Sequence, residues 1–368
     1  MPQARQLPTD AETAGSALDD ATAADGPDRP IFVMGCARSG TTLLQLMLHS
    51  HPRIAIPPET RFIEELYQRR ERFGNLRRRK NRRKLARAII GKRRRKFHDL
   101  GLDAAQVKAR IVNGPPTIGS AMGIVLREYA RRFDKPRWGD KRPAYIKHPE
   151  VILAMFPDAQ LVHIIRDGRA CVASLKRMPW WKHGSIAAMA KWVEAINKGH
   201  WARSNLRPDQ YYELQYEHLV ADPRGELQRL CDFLGETFDE AMLEPSRVAG
   251  EAVPDKKTWH TRTRGEVTTA AVNQWASELE PWEVALMERV AGRMLRAYGY
   301  PLTAGRSRPP VSKRRRYLEI SGRRRAADVR WRQKERALEG RYPYPVAARL
   351  TKGQRQAAAA ERRRRREA

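Results

Sequence analysis

The chain has 368 residues and a formal net charge of +30, which is length enough for one large α/β domain or two smaller ones with a substantial core. Such a charge suggests a nucleic-acid protein, but it is unevenly spread. Residues 69–96 carry 16 Lys and Arg against the single acid Glu71, residues 303–368 carry 22 against 6 acids, and the rest is close to neutral.

Three cysteines, Cys36, Cys171 and Cys231, form no disulfide framework and no CxxC metal pair, which suits a reducing compartment. No apolar run is long enough to span a bilayer. Residues 1–28 are rich in Ala, Asp, Pro and Thr and lack both a charged start and an apolar stretch, so they read as a disordered leader rather than a signal peptide. A cytoplasmic protein is expected, with attachment to the inner membrane surface open.

In chain order, a domain is expected over 29–302. Ile31-Phe32-Val33-Met34 has the form of a buried parallel strand and is closed by Gly35. Thr41–Ser50 follows with Leu43, Leu44, Met47 and Leu48 at helical spacing. Residues 69–100 read as a basic, helix-prone insertion, and a further helix is predicted over Ile118–Phe133. Leu161–Ile165 is a second buried strand, followed by a helix over Ala170–Lys176, and Tyr211–Leu214 is a third strand. Leu227, Leu230, Phe233 and Leu234 repeat at helical spacing and stop at Gly235; the last patterned helix, Trp282–Tyr298, ends at Gly299. Strands alternating with helices predict an α/β fold with a mostly parallel, doubly wound sheet. Residues 303–368, with charge blocks at Arg323–Arg325 and Arg362–Arg366, read as a flexible or weakly helical basic tail.

Gly35-Cys36-Ala37-Arg38-Ser39-Gly40-Thr41-Thr42 has the GxxxxG spacing of a phosphate loop between a strand and a helix. Glycines there let backbone N–H groups converge on an anion, and the helix N-terminus adds positive potential. A loop that grips a γ-phosphate carries Lys after the second glycine; this chain has Thr41, with its cation two residues before Gly40, at Arg38. The strand Leu161–Ile165 ends in Arg166, not in a magnesium-binding acid. Both departures disfavour a kinase or nucleotide triphosphatase.

Arg-Ser-Gly-Thr-Thr after a short strand resembles the 5′-phosphosulfate loop of sulfotransferases that use 3′-phosphoadenosine 5′-phosphosulfate (PAPS). The segment Arg166–Ser174, an Arg followed eight residues later by Ser, is similar to the family's 3′-phosphate motif. Independently, a strand end feeding a helix N-terminus suits an anion, and Arg offers it a bidentate fork. The resemblance covers about Pro30 to Pro301 and implies a P-loop NTPase-like three-layer fold. It implies nucleotide contacts from Arg38, Ser39, Gly40, Thr41, Thr42, Arg166 and Ser174. Tyr216, in Tyr216-Glu217-His218-Leu219-Val220, and Arg264 with Gly265 are secondary candidates; a core tyrosine is the alternative for Tyr216.

Glu59, in Glu59-Thr60-Arg61-Phe62, lies 21 residues after Arg38. The tyrosylprotein branch of the family places its catalytic base at this separation, before Thr-Arg, so the resemblance makes Glu59 the base. Lys141, in Gly139-Asp140-Lys141-Arg142-Pro143, matches in part a lysine that the same relatives hold near the sulfate; an exposed basic turn is its alternative. Arg38 and Lys141 are assigned to charge stabilisation, and no metal is required.

The acceptor stays open among the hydroxyls of a glycan, a glycolipid, tyrosine or a small metabolite. The basic segments suit a polyanionic glycan, a membrane lipid or an anionic membrane surface. Nucleic acid is disfavoured because aromatic residues are not interleaved with the charge. The alternatives on the same fold are a kinase-like phosphotransferase and a non-catalytic polyanion-binding protein.

Overall fold

The computed structural model describes residues 29–91, 96–248, 268–269 and 272–348. Arg264 and Gly265 lie outside the described residues, as do the leader and residues 349–368 of the tail.

The first half contains β1 (Ile31–Gly35), α1 (Thr41–Ser50), β2 (Ile54–Ala55), α2 (Phe62–Tyr67), α3 (Arg79–Gly91), α4 (Ala104–Asn113), α5 (Ile118–Arg131) and β3 (Arg137–Lys141). There follow α6 (Pro149–Met155), β4 (Gln160–Ile165), α7 (Gly168–Lys176), α8 (Gly184–Asn205), β5 (Tyr211–Gln215), α9 (Tyr216–Ala221) and α10 (Pro223–Leu234). The last helices described are α11 (Trp275–Glu278), α12 (Pro281–Ala297) and α13 (Val311–Arg341).

The strands form one parallel sheet in the order β2-β3-β1-β4-β5. Alternation along the strands builds two cores. Phe32, Met34, Leu161 and Ile165 face one apolar cluster, and Ile31, Val33, Val162 and Ile164 face the other. The first cluster packs under α5 to α8 and α12, and the second under α1 and α10. Helices thus cover both faces, giving the three-layer, P-loop NTPase-like α/β architecture. The chain reverses direction along the strand order beside β1, and ligand crevices in such sheets open at the carboxyl ends of the strands.

Between α2 and α5, the basic stretch forms α3, and α4 follows it. Leu85, Ala86 and Ile89 are buried on α3, and Val107 and Ile111 on α4. Arg82 Nε ties the two helices by donating to the Val112 carbonyl at 2.6 Å.

The tail departs from expectation. Residues 311–341 form one continuous, docked helix of 31 residues rather than a flexible or weakly helical arm. Its inward face buries Tyr317 and Leu338 and stacks Trp331 on His148 with ring centroids 3.6 Å apart. Lys198 pairs with Asp328 at 3.1 Å, and the buried Arg70 pairs with Glu335 at 2.6 Å. Few of these contacts are apolar, so their periodicity is hidden among the arginines.

Candidate functional site

Each candidate inside the described residues except Ser174, which lies within α7, sits at, or just beyond, the carboxyl end of a parallel strand. Arg38 to Thr42 follow β1, Glu59 follows β2, Lys141 ends β3, Arg166 follows β4 and Tyr216 follows β5. Parallel register alone gathers five chain segments at one edge of the sheet.

The phosphate loop turns between β1 and α1. Gly40 has φ 101°, in the left-handed region, and a Cβ there would lie 2.5 Å from Cδ2 of Tyr216. Only glycine satisfies both the backbone and the ring. Arg38 is also left-handed, at φ 75°, an uncommon state for a side-chain-bearing residue that costs on the order of 1 kcal/mol. The turn is closed from within: the Ser39 N–H and hydroxyl donate to the Cys36 carbonyl at 3.2 and 2.8 Å. Thr41 opens α1, which has no acid in its first turn, so its N-terminal potential stays positive.

The segment after β4 is joined to this loop. Arg38 Nε donates to Ser174 Oγ at 3.0 Å, and Arg166 Nη1 donates to the Arg38 carbonyl at 3.3 Å. The Arg166 guanidinium stacks 4.3 Å from the Tyr216 ring centroid, and the Arg166 carbonyl accepts from Trp192 Nε1 at 2.9 Å. Asp167 caps α7 by accepting from the Arg169 N–H at 2.8 Å. Arg169 is buried, chelated by Asp167 and Glu288, with its guanidinium 4.0 Å from the Trp275 ring centroid. Glu217 accepts from the Asp167 N–H at 3.0 Å and from the Tyr300 hydroxyl at 2.8 Å, while burial pushes its carboxyl above the usual range. Two loops on the neighbouring strands β1 and β4 therefore present Arg38 and Arg166, braced by one hydrogen-bond network.

On the other side of β1, Lys141 Nζ donates to the Thr42 hydroxyl at 3.3 Å. Lys141 is buried on β3, and an exposed basic turn is ruled out for it. Its neighbour Asp140 is buried as well. One Asp140 oxygen accepts from the Thr60 hydroxyl at 2.6 Å and from the Tyr145 hydroxyl, and the other accepts from the Lys141 N–H at 2.9 Å. Burial raises the Asp140 carboxyl above its usual range, against the pull of those donors. Glu59 is partly exposed, with ion pairs to Lys96 at 3.8 Å and Arg61 at 3.9 Å.

A family model described as "Sulfotransferase family" matches residues 30–240, more than half of the chain and the whole of this strand edge. The chain belongs to the sulfotransferase family. It is 26% identical over 277 residues to protein-tyrosine sulfotransferase A of Caenorhabditis elegans, an alignment covering 73% of this chain and 67% of that protein. It is 27% identical over 281 residues to the protein-tyrosine sulfotransferase of Drosophila melanogaster, covering 73% of this chain but only 51% of that longer protein. Among solved structures, the sulfotransferase domain of the Synechococcus PCC 7002 olefin synthase superposes with a TM-score of 0.54 at 23% identity, covering 76% of this chain and 98% of that domain. These likenesses agree in fold and in branch with the motif resemblance.

In this sulfotransferase, sequence reasoning found the two loops and missed what holds them. Trp192, Glu217 and Arg169 brace the β4 loop, and the Thr60–Asp140–Tyr145 cluster braces β3 against the segment after β2. Glu217 stands beside Tyr216 within a quoted motif, and Asp140 beside Lys141; adjacency to a candidate was the available signal. Trp192 lies within a long helix and gave none.

Proposed function

We propose that this sulfotransferase moves a sulfuryl group from PAPS to an acceptor hydroxyl, with Glu59 as the general base. One observation carries the reading: two cationic loops on adjacent strands are joined by the Arg38–Ser174 hydrogen bond, as a donor bearing phosphate groups at two separate positions requires. The relatives named protein-tyrosine sulfotransferases add support for the donor class and for the tyrosine branch.

PAPS supplies an activated sulfuryl group on its 5′-phosphate. Loop N–H groups of residues 40–42, with Arg38 and the turn that Ser39 closes, suit that phosphate, and Arg166 with Ser174 suits the 3′-phosphate. Glu59 accepts the acceptor's proton as its oxygen attacks sulfur and the bond from sulfur to the phosphate oxygen breaks. Arg38 and Lys141 stabilise the charge that develops on the sulfuryl oxygens and the departing phosphate. Tyr216 packs beside the loop, where it limits the space over Gly40.

The acceptor is a hydroxyl of a glycan, glycolipid, tyrosine or small metabolite. A kinase-like reading is weaker, since Thr41 replaces the loop lysine and both oxygens of Asp140, the acid on the strand next to β1, already accept hydrogen bonds. Calorimetry comparing 3′-phosphoadenosine 5′-phosphate with ATP plus Mg²⁺ tests the donor. Tight, magnesium-independent binding of the first is expected, and selective binding of ATP would overturn the reading. An acceptor screen with radiolabelled PAPS then identifies the hydroxyl class.

A further inference from the structure

Helix α13 has an outward stripe with an unusual composition. Val311, Leu318 and Val329 are 62%, 69% and 53% exposed, among the most exposed large apolar side chains of the described residues. Their separations of seven and eleven residues return them to within about 20° of one direction on an α-helix, and they span about 27 Å of its length. Arg315, Arg325 and Arg336 interleave on the same line with Gly322 and Gln333, and no acid falls on it. These three arginines form no ion pair among the described residues. Their neighbours off the line do: Arg316 and Arg323 with Glu319, and Arg332 with Asp328.

The helix cannot roll to hide this stripe. Tyr317 and Leu338 are buried on the opposite face, and Arg324 with Glu194, Lys198 with Asp328 and Arg70 with Glu335 pin it along its length.

We propose that this stripe is a docking surface for an anionic phospholipid bilayer, with α13 lying in the plane of the headgroups. Lipid phosphates match this line of arginines, unpaired among the described residues, and the three apolar side chains reach the boundary of the acyl region. A second copy of the chain fits poorly, because self-pairing sets arginine against arginine. Three isolated apolar side chains also fall far short of the roughly 800 Å² per partner that a stable interface buries. Nucleic acid fits poorly too, since the stripe has no aromatic ring for base stacking and its apolar residues gain nothing from phosphates. The inference is independent of the sulfuryl donor and of the acceptor.

Co-sedimentation of the full chain with vesicles tests it, using phosphatidylcholine alone and phosphatidylcholine mixed with phosphatidylglycerol. The wild type is expected on the mixed vesicles and not on the neutral ones. The variant L318S/V329S leaves the charge unchanged and should bind on the order of tenfold more weakly. R315Q/R325Q/R336Q should bind on the order of a hundredfold more weakly. R316Q/R323Q/R332Q removes as much charge from paired positions and should lose far less. Equal losses in the two arginine triples, or unchanged binding of L318S/V329S, would overturn the proposal in favour of bulk charge. Dimers in sedimentation equilibrium that L318S/V329S dissociates would overturn it in favour of self-association, and preferential binding of duplex DNA would also overturn it. Circular dichroism and nucleotide titration report whether each variant is folded, and the single variant L318S is read instead if the double one is not.

Discussion

The Thr60 hydroxyl donates to Asp140 across 2.6 Å of buried space, binding the segment after β2 to strand β3. Thr60 follows Glu59 in the chain, and Asp140 precedes Lys141. One hydrogen bond therefore sets the spacing between the proposed base and the proposed cation. T60V removes the donor and leaves a buried carboxylate oxygen with one partner fewer, which should cost about 1–3 kcal/mol in urea unfolding. Turnover should fall by at least tenfold while affinity for 3′-phosphoadenosine 5′-phosphate stays within twofold, about the error of a titration. Lost stability with unchanged turnover would confine Thr60 to a structural role.

Ser174 is expected to act on the nucleotide rather than on the chemistry. Its hydroxyl holds Arg38 and faces the same loop, so S174A removes a hydrogen bond to a charged group, worth about 1.5–3 kcal/mol. Calorimetry should show nucleotide binding weakened by roughly tenfold to a hundredfold. An unaltered dissociation constant would detach Ser174 from the donor site.

E59Q keeps the size of the side chain and removes its basicity. Turnover should drop by about 10² to 10⁴, the usual contribution of a general base, with little change in nucleotide binding. A variant as active as the wild type would require another base.

Acid stability provides a separate test, at His49. Its Nδ1 accepts from the Ile56 N–H at 3.2 Å, and burial, assisted by the Lys135 charge, pulls its pKa down to about 3. The folded pKa is thus below the unfolded value of about 6.5. The unfolded chain binds the extra proton between these values, so stability falls as pH drops through that window, by up to about 1.4 kcal/mol per pH unit from this site. H49N offers an acceptor at the same place without titrating. Urea midpoints measured from pH 7 to pH 4.5 should decline less steeply in H49N than in the wild type; parallel curves would assign the acid sensitivity elsewhere.

The elements legible in the sequence were those whose pattern is dictated by the backbone. β1 and β4 are apolar because both faces of the sheet are covered, and the loop glycine at 40 is required by a left-handed turn under a ring. Strand β3, Arg137-Trp138-Gly139-Asp140-Lys141, has charged residues at three of its five positions and so reads as a loop. It is a strand because each charge finds partners: Arg137 pairs with Glu236 at 2.9 Å, and Asp140 and Lys141 bond to hydroxyls. Helix α8 buries Trp192, Ala195, Ile196, Gly199 and Ala202 amid Lys and Glu, packing against both α7 and α13, so no single apolar face marks it. Long-range partners of this kind are invisible to any local window. The same holds for the candidate site, whose loops were legible and whose bracing residues were not.

The strand order divides the labour of this enzyme. Under the proposed roles, the donor is gripped from β1 and β4, whereas the base and its companion lysine hang from β2 and β3. On those roles, substitutions around Glu59 and Lys141, outside the buried Thr60–Asp140–Tyr145 cluster, would act on the acceptor side, while the hydrogen-bonded ladder between β1 and β4 keeps the two phosphate sites in register. A lineage built this way can trade acceptors by drift on one flank of its sheet without having to relearn how to hold the sulfate source.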